Sequence, residues 1–570
     1  MNSKGMQIHQ KGFDFNHTNK LINSGHFDAA QRILSKAEKK LPKNFDVLYL
    51  KGKLASSRFQ LDHAQKLFNR AMKYAQKPSQ KEQALFQIST ILYHNRQLIE
   101  ARKLLESHID GNYKDDKFTH QYLKILRDTK DSHKINEAIP KLIEHDPKNL
   151  QCLGLCLQCL IQSQQIDRAI ETAQYFLKNN LGLYPDRTAL MLLGCYEAKG
   201  DFQEGYKLLK EFDVSNSENE HIKRQLAKLD YFLSPTSEKL EKFREYAESG
   251  KKPFAEWTLS TIELGQGDFE KGIPRYEKRH IAEGKTIRVH FLPYHDLSTG
   301  LPQDNSRILL SYEQGLGDQV RFCRYLSGLS PEIKKRIAIL PEPRLVPLIQ
   351  RSFPDIQCYP NGKITLEHLK KDNVKTEALM ASAALLNKNL FKKSDSGYFS
   401  ISKDIQDSVL EILEDGKITI GVFWRSVKVN PERDLWQPSL EDFIEIFRGK
   451  NYQLLSLQNS VTDKERAIFK DAGLTLIETE IDCRDNIDGL ATLCASTTAV
   501  VGVGTATSEI SAATGQHTWV LATKHPDRWY LNATYMDKHY PNMHLALREV
   551  HTPWRDTLKK VRNELEKLVS

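Results

Sequence analysis

Long apolar segments are missing from this 570-residue sequence. No run approaches the roughly 20 apolar residues that a membrane-spanning helix requires. The N-terminal stretch MNSKGMQIHQKGFDFNH has neither an apolar core nor a small-residue cleavage site, so no secretory signal is predicted. With 40% apolar and 27% charged residues, the composition is typical of a globular protein, and a cytoplasmic location is expected.

Charge of one sign and cysteine are also scarce. The 82 basic and 73 acidic residues are intermixed, which disfavours a nucleic-acid partner, whereas the net charge of +9 suits an anionic small ligand. Three of the eight cysteines, Cys152, Cys156 and Cys159, have the C-x3-C-x2-C spacing of some iron–sulfur sites. Within QCLGLCLQCLIQ, however, they lie between leucines on one face of a predicted helix, where free cysteine behaves as a small buried apolar residue. We therefore expect no disulfide framework, no metal and no cofactor.

The first half of the chain repeats itself. Segments such as NSGHFDAAQRIL and SRFQLDHAQKLF consist of a polar turn and an amphipathic helix with a small residue near its start. The small residue lets two helices approach, and stacked pairs then bury a shared core. The period resembles that of tetratricopeptide (TPR) repeats, and we predict a TPR-like helical domain over residues 1–283 that binds a partner protein; an irregular helical bundle is the alternative. The repeated small residues are Ala30, Ala64, Ala101, Ala138, Ala169, Gly205 and Gly272.

The second half has a different texture. From about residue 285, short β-branched runs such as RILLSY and TTAVVGVG alternate with helix-length segments, which predicts βαβ units and parallel sheets. Two groups of strands, at about 305–390 and 417–525, predict two Rossmann-like α/β domains that face each other across a cleft, over residues 284–400 and 401–570. Ligands of such sheets lie beyond the carboxyl ends of the strands, and three motifs occupy such positions.

The first motif is GLGD, which joins a strand to a helix. As a structural element, Asp318 is a favourable residue at a helix N-terminus because the helix dipole stabilises its charge. As a functional element, it is a candidate general base that takes a proton from an acceptor hydroxyl. On the following helix, we expect Arg324 at the surface, whereas the direction of Arg321 stays open. The acceptor-side loop, which brings backbone close to the substrate, contains Glu313, Gln314, Gly315 and Gly317.

The second motif is GVFWRSVKVNPERDLWQPSL, residues 421–440, in which a strand ends at Trp424 and a basic loop follows. Cations on such a loop suit a diphosphate leaving group, whose charge grows in the transition state. Solvated loop charge is the structural alternative. The donor-side residues assigned to this region are Arg425, Ser426, Lys428, Arg433 and, after the next strand, Gln458.

The third motif is AVVGVGTATSEISAATGQHTWVLAT, residues 499–523, in which a buried strand runs into a short helix. Free amides and hydroxyls at a helix start form an anion site, and small residues let a phosphate approach. The GVG alone is a weak dinucleotide signal because no full G-x-G-x-x-G is present. The donor-side residues predicted here are Gly504, Thr505, Ala506, Thr507, Ser508 and Glu509.

Together and in this order, the three motifs resemble the glycosyltransferase domain of bacterial TPR proteins, which is similar to ADP-heptose glycosyltransferases and, more distantly, to TPR-containing O-GlcNAc transferases. GDFEKGIPRYEKR also resembles the hinge of that family, so the resemblance covers about residues 260–555. It implies a GT-B fold and a metal-independent transfer from a nucleotide-sugar. Asp318 matches the family's general base, the segment from Gly504 to Ala513 matches its donor-phosphate segment, and Arg528 in HPDRWYL matches a donor contact.

Two residues depart from the family pattern, Gly504 in place of an aspartate and Glu509 in place of a histidine. A glutamate beside a diphosphate is unfavourable unless Arg425 or Arg433 pairs with it. The departures are compatible with a different donor, such as a CMP-linked sugar with one phosphate, or with an inactive site.

Three functions therefore stay open. The leading hypothesis is a protein O-glycosyltransferase whose helical repeats hold the acceptor protein, with serine or threonine as the acceptor residue and flagellin as the preferred acceptor. The second is a heptosyltransferase-like enzyme that acts on a lipid or saccharide. The third is a scaffold with an inactive transferase domain.

Overall fold

The computed structural model describes residues 13–570 except residues 25, 59, 96, 110, 112, 114–115, 180–183, 215–218, 251, 280–291, 313, 360–363, 387–396, 427–435, 527 and 529–538. The chain forms two compact units, Met1–Lys199 and Gly200–Ser570. Within the described residues, no helix is both long enough and apolar enough to cross a membrane.

The first unit consists of helices joined by short turns. Successive helices pack on each other from α1 to α7 and from α8 to α11, and α1 also packs on α3, α5 on α7, α7 on α9 and α9 on α11, which is the stacking that repeated helix pairs require. The predicted TPR-like arrangement is therefore present. The helices are α1 (Phe15–Asn23), α2 (Phe27–Lys40), α3 (Phe45–Ser57), α4 (Leu61–Lys73), α5 (Pro78–His94), α6 (Leu98–Ile109), α7 (Asp116–Thr129), α8 (Ser132–His145), α9 (Leu150–Gln162), α10 (Ile166–Lys178) and α11 (Pro185–Lys199).

Small residues and caps account for these helix pairs. Ala30, Ala64 and Ala101 are fully buried at the positions that the repeat predicts. Asn44 of LPKN and Asn149 of DPKN begin the next helix, since their side chains accept hydrogen bonds from amides three residues on, at 3.1 and 2.9 Å. Such a cap contributes about 1 kcal/mol to a helix.

The cysteine-containing segment is helical, as predicted. Cys152, Cys156 and Cys159 are buried in helix α9. Burial raises the pKa of the Cys159 thiol to about 12, so this residue is a neutral core side chain at physiological pH.

The second unit begins with helices and continues with two parallel sheets. The predicted boundary at residues 283–284 lies outside the described residues, and the compact units divide earlier, between Lys199 and Gly200. The five helices before the sheets therefore group with the α/β region. They are Phe202–Val214, Glu220–Leu233, Ser237–Glu248, Pro253–Gly265 and Phe269–Glu277.

Both sheets are parallel, as the alternating pattern predicts. The first has the strand order β3-β2-β1-β4 and the second the order β10-β9-β8-β5-β6-β7, so both place their first strand between the second and the fourth of their own set. The first sheet contains β1 (Arg307–Ser311), β2 (Ile337–Leu340), β3 (Gln357–Cys358) and β4 (Val374–Leu379). The second contains β5 (Ile418–Phe423), β6 (Tyr452–Ser456), β7 (Leu476–Ile477), β8 (Ala499–Val503), β9 (Thr518–Thr523) and β10 (Met543–Arg548).

The central strands are buried on both faces, which explains their near-continuous apolar runs. In β2 and β8 every residue is buried. Gly502 of β8 leaves room for the Phe423 ring of β5, because a Cβ at this glycine would lie 2.4 Å from that ring. The helices that cover the sheets are Leu316–Ser327, Pro331–Lys335, Val346–Ser352, Leu366–Lys371, Lys403–Leu410, Leu440–Phe443, Asp463–Asp471, Ile487–Ala495, Ala506–Ala513 and Trp554–Val569.

Each sheet has one crevice at which successive connections leave in opposite directions, between β1 and β4 in the first and between β5 and β8 in the second. Open α/β sheets bind their ligands beyond the carboxyl ends of the strands at such points. The three sequence motifs follow β1, β5 and β8. The fold thus brings all of them to the two crevices.

Candidate active site

Asp318 lies in the first turn of the helix Leu316–Ser327, called the GLGD helix below. Its Oδ2 accepts a hydrogen bond from the Gly315 amide at 3.1 Å, so it stabilises the helix start as the structural interpretation predicts. The side chain is still 31% exposed, which leaves it accessible to a substrate hydroxyl. Before the helix, Gln314 has a left-handed backbone with φ of 62°, which is unfavourable for a residue with a side chain. Glu313 lies outside the described residues.

The prediction for Gly317 is an approach of backbone to the substrate, and in this structure its close approach is to another helix. A Cβ at Gly317 would lie 3.3 Å from the Cα of Ala506 and 3.4 Å from Cγ of Glu509. Ala506 begins the helix Ala506–Ala513, called the GTAT helix below, which follows β8. The N-termini of the two helices, one from each sheet, are therefore in direct contact.

The start of the GTAT helix is organised by Ser508. Its hydroxyl accepts a hydrogen bond from the Thr505 amide at 3.2 Å and donates one to the Thr505 carbonyl at 2.6 Å. Ser508 is therefore a buried residue of the first turn whose side chain stabilises the helix start. The hydroxyl oxygen of Thr505 is buried and has no hydrogen-bond partner among the described residues. Gly504, Ala506 and Thr507 are half-buried around it.

Glu509 forms a buried ion pair that joins the two sheets' helices. Nη2 of Arg321 on the GLGD helix donates to Oε1 of Glu509, and the two side chains are only 3% and 5% exposed. Nη1 of the same guanidinium donates to Oδ1 of Asp318 at 3.3 Å. The sequence analysis names Arg425 and Arg433 as cations whose pairing would make Glu509 tolerable, and in the structure Arg321 is paired with it.

Arg425 is engaged elsewhere. Its Nε and Nη2 donate to the two carboxylate oxygens of Glu465 at 2.6 and 3.1 Å, and Nη2 also donates to the Ser460 carbonyl at 2.7 Å. Burial raises the pKa of Glu465, but hydrogen bonds from Arg425, Thr462 and Trp424 outweigh it and lower the pKa to about 2. The loop after β5 is thereby anchored to the helix Asp463–Asp471.

The other residues predicted for this loop divide into two groups. Ser426 is half-buried at its start, whereas Lys428 and Arg433 lie outside the described residues. Gln458, which follows β6, holds the loop after β5 through its side chain. Its Oε1 accepts hydrogen bonds from the amides of Trp424 and Arg425 at 3.2 and 3.3 Å, and its Nε2 donates to the Arg425 carbonyl at 3.2 Å. Gln458 therefore fixes the backbone at the crevice.

The backbone of Arg528 is held by His525, whose carbonyl accepts a hydrogen bond from the Arg528 amide at 3.1 Å. The His525 ring packs edge-on against Trp436 and Phe202, with centroids 5.1 and 5.4 Å apart. A helix that precedes both sheets thus holds the segment with the predicted donor contact. The sequence pattern did not indicate this contact, because Phe202 is more than 200 residues from both partners.

The expected surface position of Arg324 is wrong. Arg324 is 4% exposed, and its guanidinium lies 5.7 Å from the centroid of the Tyr398 ring. The reason is that the GLGD helix is covered on several sides, since it packs against the first sheet's core, the segment Met380–Leu386 and the GTAT helix. All its residues from 319 to 326 are buried.

A buried aromatic cluster also joins the part of the chain built on the first sheet and the part built on the second sheet, called the first half and the second half below. The Tyr398 hydroxyl donates to the Val320 carbonyl at 2.7 Å and lies 3.0 Å from the Tyr540 hydroxyl. The Tyr398 amide donates to the carbonyl of Ala513, the last residue of the GTAT helix, at 2.8 Å. Gly397 permits this approach, since a Cβ there would lie 2.2 Å from the Gly515 amide nitrogen. The segment after residue 396 is therefore docked on both halves.

Comparisons with known proteins give distant likenesses. No protein-family model matches the chain. Protein FlbA of Caulobacter vibrioides is 24% identical over 452 residues, which are 72% of each chain. A family 9 glycosyl transferase from Veillonella parvula has a TM-score of 0.34 at 11% identity and covers 47% of this chain and 98% of its own. A mutant O-GlcNAc transferase of Thermobaculum terrenum covers 97% of this chain and 92% of its own, with a TM-score of 0.22 at 11% identity.

Because the TM-scores are below 0.5 and the identities below 25%, we base the functional proposal on the residues of this chain.

Proposed function

We propose that this protein is a glycosyltransferase that transfers a sugar from a nucleotide-activated donor to a serine or threonine of a protein bound by its N-terminal helices. One observation supports this most directly. An exposed carboxylate, Asp318, and the N-terminus of the GTAT helix lie at the carboxyl ends of two parallel sheets, and the helices that carry them touch at Gly317 and Ala506.

The donor side is the start of the GTAT helix. The first amides of a helix and the positive end of its dipole attract a phosphate. The buried Thr505 hydroxyl adds a hydrogen-bonding group, and Gly504 leaves space because it has no side chain. We propose that these groups and the cations of residues 425–433 stabilise the leaving nucleotide, so that no metal is needed.

The acceptor side is Asp318. In the proposed reaction the acceptor oxygen attacks the anomeric carbon, the bond from that carbon to the phosphate oxygen breaks, and the hydroxyl proton moves to the Asp318 carboxylate. Since Gly317 and Ala506 are in contact, the acceptor approaches Asp318 from its exposed side.

The acceptor is proposed to be a protein because the N-terminal unit presents large exposed apolar side chains. Ile99, Tyr175 and Tyr184 are 56%, 56% and 53% exposed. Tyrosine is enriched at the energetically important positions of protein interfaces. Flagellin modified in the cytoplasm is the acceptor that the architecture favours. A lipid or saccharide acceptor is the second candidate.

The scaffold hypothesis rests on the departures at Gly504 and Glu509, and the objection raised by Glu509 is that its charge repels the donor. Its carboxylate is neutralised by Arg321 and buried, so this objection to an active site loses its main support. The scaffold hypothesis still predicts that the protein binds no nucleotide-sugar.

A thermal-shift panel with UDP-, ADP-, GDP- and CMP-linked sugars and the free nucleotides tests the donor site. We expect one nucleotide class to raise the melting temperature, since a ligand at a hundred times its Kd stabilises the folded state by about 2.7 kcal/mol. Transfer of the labelled sugar to candidate acceptor proteins is the second measurement. A chain without residues 1–199, checked for folding by circular dichroism, should lose transfer to the acceptor protein. If it keeps full activity on a lipid or saccharide, the second candidate is correct. No shift with any nucleotide would favour the scaffold.

A further inference from the structure

The candidate base does not stand alone, because its carboxylate is held through both oxygens. The Gly315 amide donates to Oδ2 at 3.1 Å, and Nη1 of Arg321 donates to Oδ1 at 3.3 Å. Arg321 is in turn held by Glu509, which belongs to the other sheet's helix. A chain of three charged groups therefore runs from the buried contact between the halves to the exposed carboxylate.

We propose that Glu509 is a positioning residue that acts through Arg321 to orient Asp318 and to preserve its strength as a base. This inference rests on the proposed function, in which Asp318 accepts the proton. It assigns a role to the residue at which the sequence departs from the family pattern.

The electrostatic reason is the balance of charge around the guanidinium. An arginine beside a carboxylate favours the charged form, which lowers the carboxylate's affinity for a proton and weakens it as a base. Glu509 supplies a second negative charge to the same guanidinium in a buried environment, where such interactions are strong. The pair Arg321–Glu509 is thus close to neutral and orients Asp318 without strongly weakening it.

Neighbouring titratable groups do not replace Glu509 in this role. Tyr276 lies close enough to Asp318 and Arg321 for its charge to interact with theirs, and burial raises its pKa to about 12. Tyr398 and Tyr540, which face Glu509, also have pKa values raised by burial and stay neutral. The cations packed against these rings, Arg279 over Tyr276 and Arg324 over Tyr398, keep their charge at all relevant pH values.

The arrangement also connects the donor side of the proposed site to the acceptor side. Glu509 lies in the first turn of the GTAT helix, one residue after Ser508, and therefore directly follows the proposed phosphate site. Glu509 therefore borders the proposed donor site and, through Arg321, is connected to the carboxylate that accepts the proton.

Two variants with opposite expected shifts test the proposal in the full-length protein. Glu509→Gln leaves the Arg321 charge balanced by Asp318 alone. We expect kcat/KM for sugar transfer to fall about tenfold at its plateau, a part of the 10²–10⁴-fold that a general base contributes. The acid limb of the kcat/KM–pH profile should move to lower pH.

The double variant Arg321→Met/Glu509→Met removes both charges at nearly constant volume, and its acid limb should move to higher pH than that of the wild type.

A second ion pair between the same halves provides the matched control. Arg351 of the first half pairs with Asp488 of the second, with Nη1 and Oδ2 3.0 Å apart. Asp488→Asn weakens the contact between the halves without touching Asp318, so its acid limb should coincide with that of the wild type. Circular dichroism and the melting temperature of each variant normalise the rates to the folded fraction.

The outcomes separate this inference from the proposed function. Opposite shifts of the acid limb in the two Glu509 variants, with none in Asp488→Asn, support it. If Glu509→Gln lowers the rate with an unchanged limb, or only as much as Asp488→Asn does, the ion pair is structural and the inference alone is overturned. If transfer proceeds undiminished in Asp318→Asn, Asp318 is not the base and the inference fails, while the transfer itself supports the proposed function. If the wild type transfers no sugar from any nucleotide-linked donor, the proposed function fails. Should Glu509→Gln not fold, the double variant with an unshifted limb would overturn the inference by itself.

Discussion

The GLGD helix and the GTAT helix begin in the same way but fill their N-termini with different groups. In both, the third helical residue accepts a hydrogen bond from the amide of the capping residue. That third residue is the carboxylate Asp318 in the first helix and the hydroxyl Ser508 in the second. A carboxylate offsets the positive end of the helix dipole from within, whereas a hydroxyl leaves it for an external anion. The GTAT helix also has Glu509 in its first turn, but the charge of this carboxylate is compensated by Arg321. The comparison explains how two similar βα turns provide a base on one side and a phosphate site on the other.

The largest expected effect comes from removing the charge of the first helix. Asp318→Asn keeps the shape and a hydrogen-bond acceptor at the helix start but cannot take a proton. Transfer should fall by about 10²–10⁴-fold while the nucleotide-induced thermal shift stays as in the wild type. The measurement is initial-rate transfer of labelled sugar together with the thermal-shift assay.

Asp442→Asn is the control for this variant. Asp442 is the third residue of the helix Leu440–Phe443 in the second half, and it is exposed. It tests what loss of a first-turn carboxylate does by itself, which is about 0.5 kcal/mol of stability. Equal activity of the two variants would mean that Asp318 acts only as a helix-terminal residue.

The contact between the two helices gives the next largest effect. Arg321→Met leaves Glu509 buried without its cation, and we expect a loss of about 3–5 kcal/mol in the free energy of unfolding. The double variant Arg321→Met/Glu509→Met should recover most of it, since no buried charge remains. Urea denaturation of the wild type and both variants measures this. A double variant as unstable as the single one would contradict the assignment of the cost to Glu509.

A carboxylate at the third position of the GTAT helix, as in the GLGD helix, should weaken the binding of a phosphate there. Ser508→Asp places a carboxylate at the third position of the GTAT helix, where it repels a phosphate and offsets the dipole. We expect the nucleotide's Kd to rise at least about tenfold, which is about 1.4 kcal/mol. Titration calorimetry measures this Kd.

Ser508→Ala is the matched variant, because it removes the cap and adds no charge. It should cost about 1 kcal/mol of stability and leave the Kd within a few-fold of the wild-type value. Equally weak binding by both variants would show that the hydroxyl contributes to binding and that the charge does not decide it.

The smallest effect concerns the loop after β5. Glu465 has a folded-state pKa lowered to about 2, below its usual value near 4.5. Its contribution to stability is therefore fully present above pH 5 and is lost as the pH falls towards 2. Glu465→Gln should be about 1 kcal/mol less stable than the wild type at pH 7, a modest value because the ion pair is partly exposed. Urea denaturation at pH 7, 4 and 3 should show this difference shrinking, and a difference that is constant with pH would contradict the assignment.

The sequence predicted local features well and distant contacts poorly. The buried positions of Ala30 and Ala64 follow from a spacing that is visible within single repeats, and β8 follows from an uninterrupted apolar run. The Arg321–Glu509 pair joins residues 188 positions apart, and no periodicity indicates it. Arg324 was misplaced because a helix sequence reveals its most apolar face but not how many neighbours cover the others. The interpretation of Arg425 as a donor ligand stays a prediction, although its bonds to Glu465 were not visible in the sequence.

The docking of Tyr398 on the last carbonyl of the GTAT helix has a mechanical consequence. That helix is about 12 Å long and is fastened to the acceptor half at both ends, by the GLGD helix at its start and by the segment after Gly397 at its end. If the second half rotates and both of these contacts are kept, the GTAT helix is the axis of the rotation. Such a motion would break the Arg351–Asp488 pair, which also joins the two halves, while the contacts at both ends of the GTAT helix are kept. Substrates would then enter and leave while the contact between the two helices is kept.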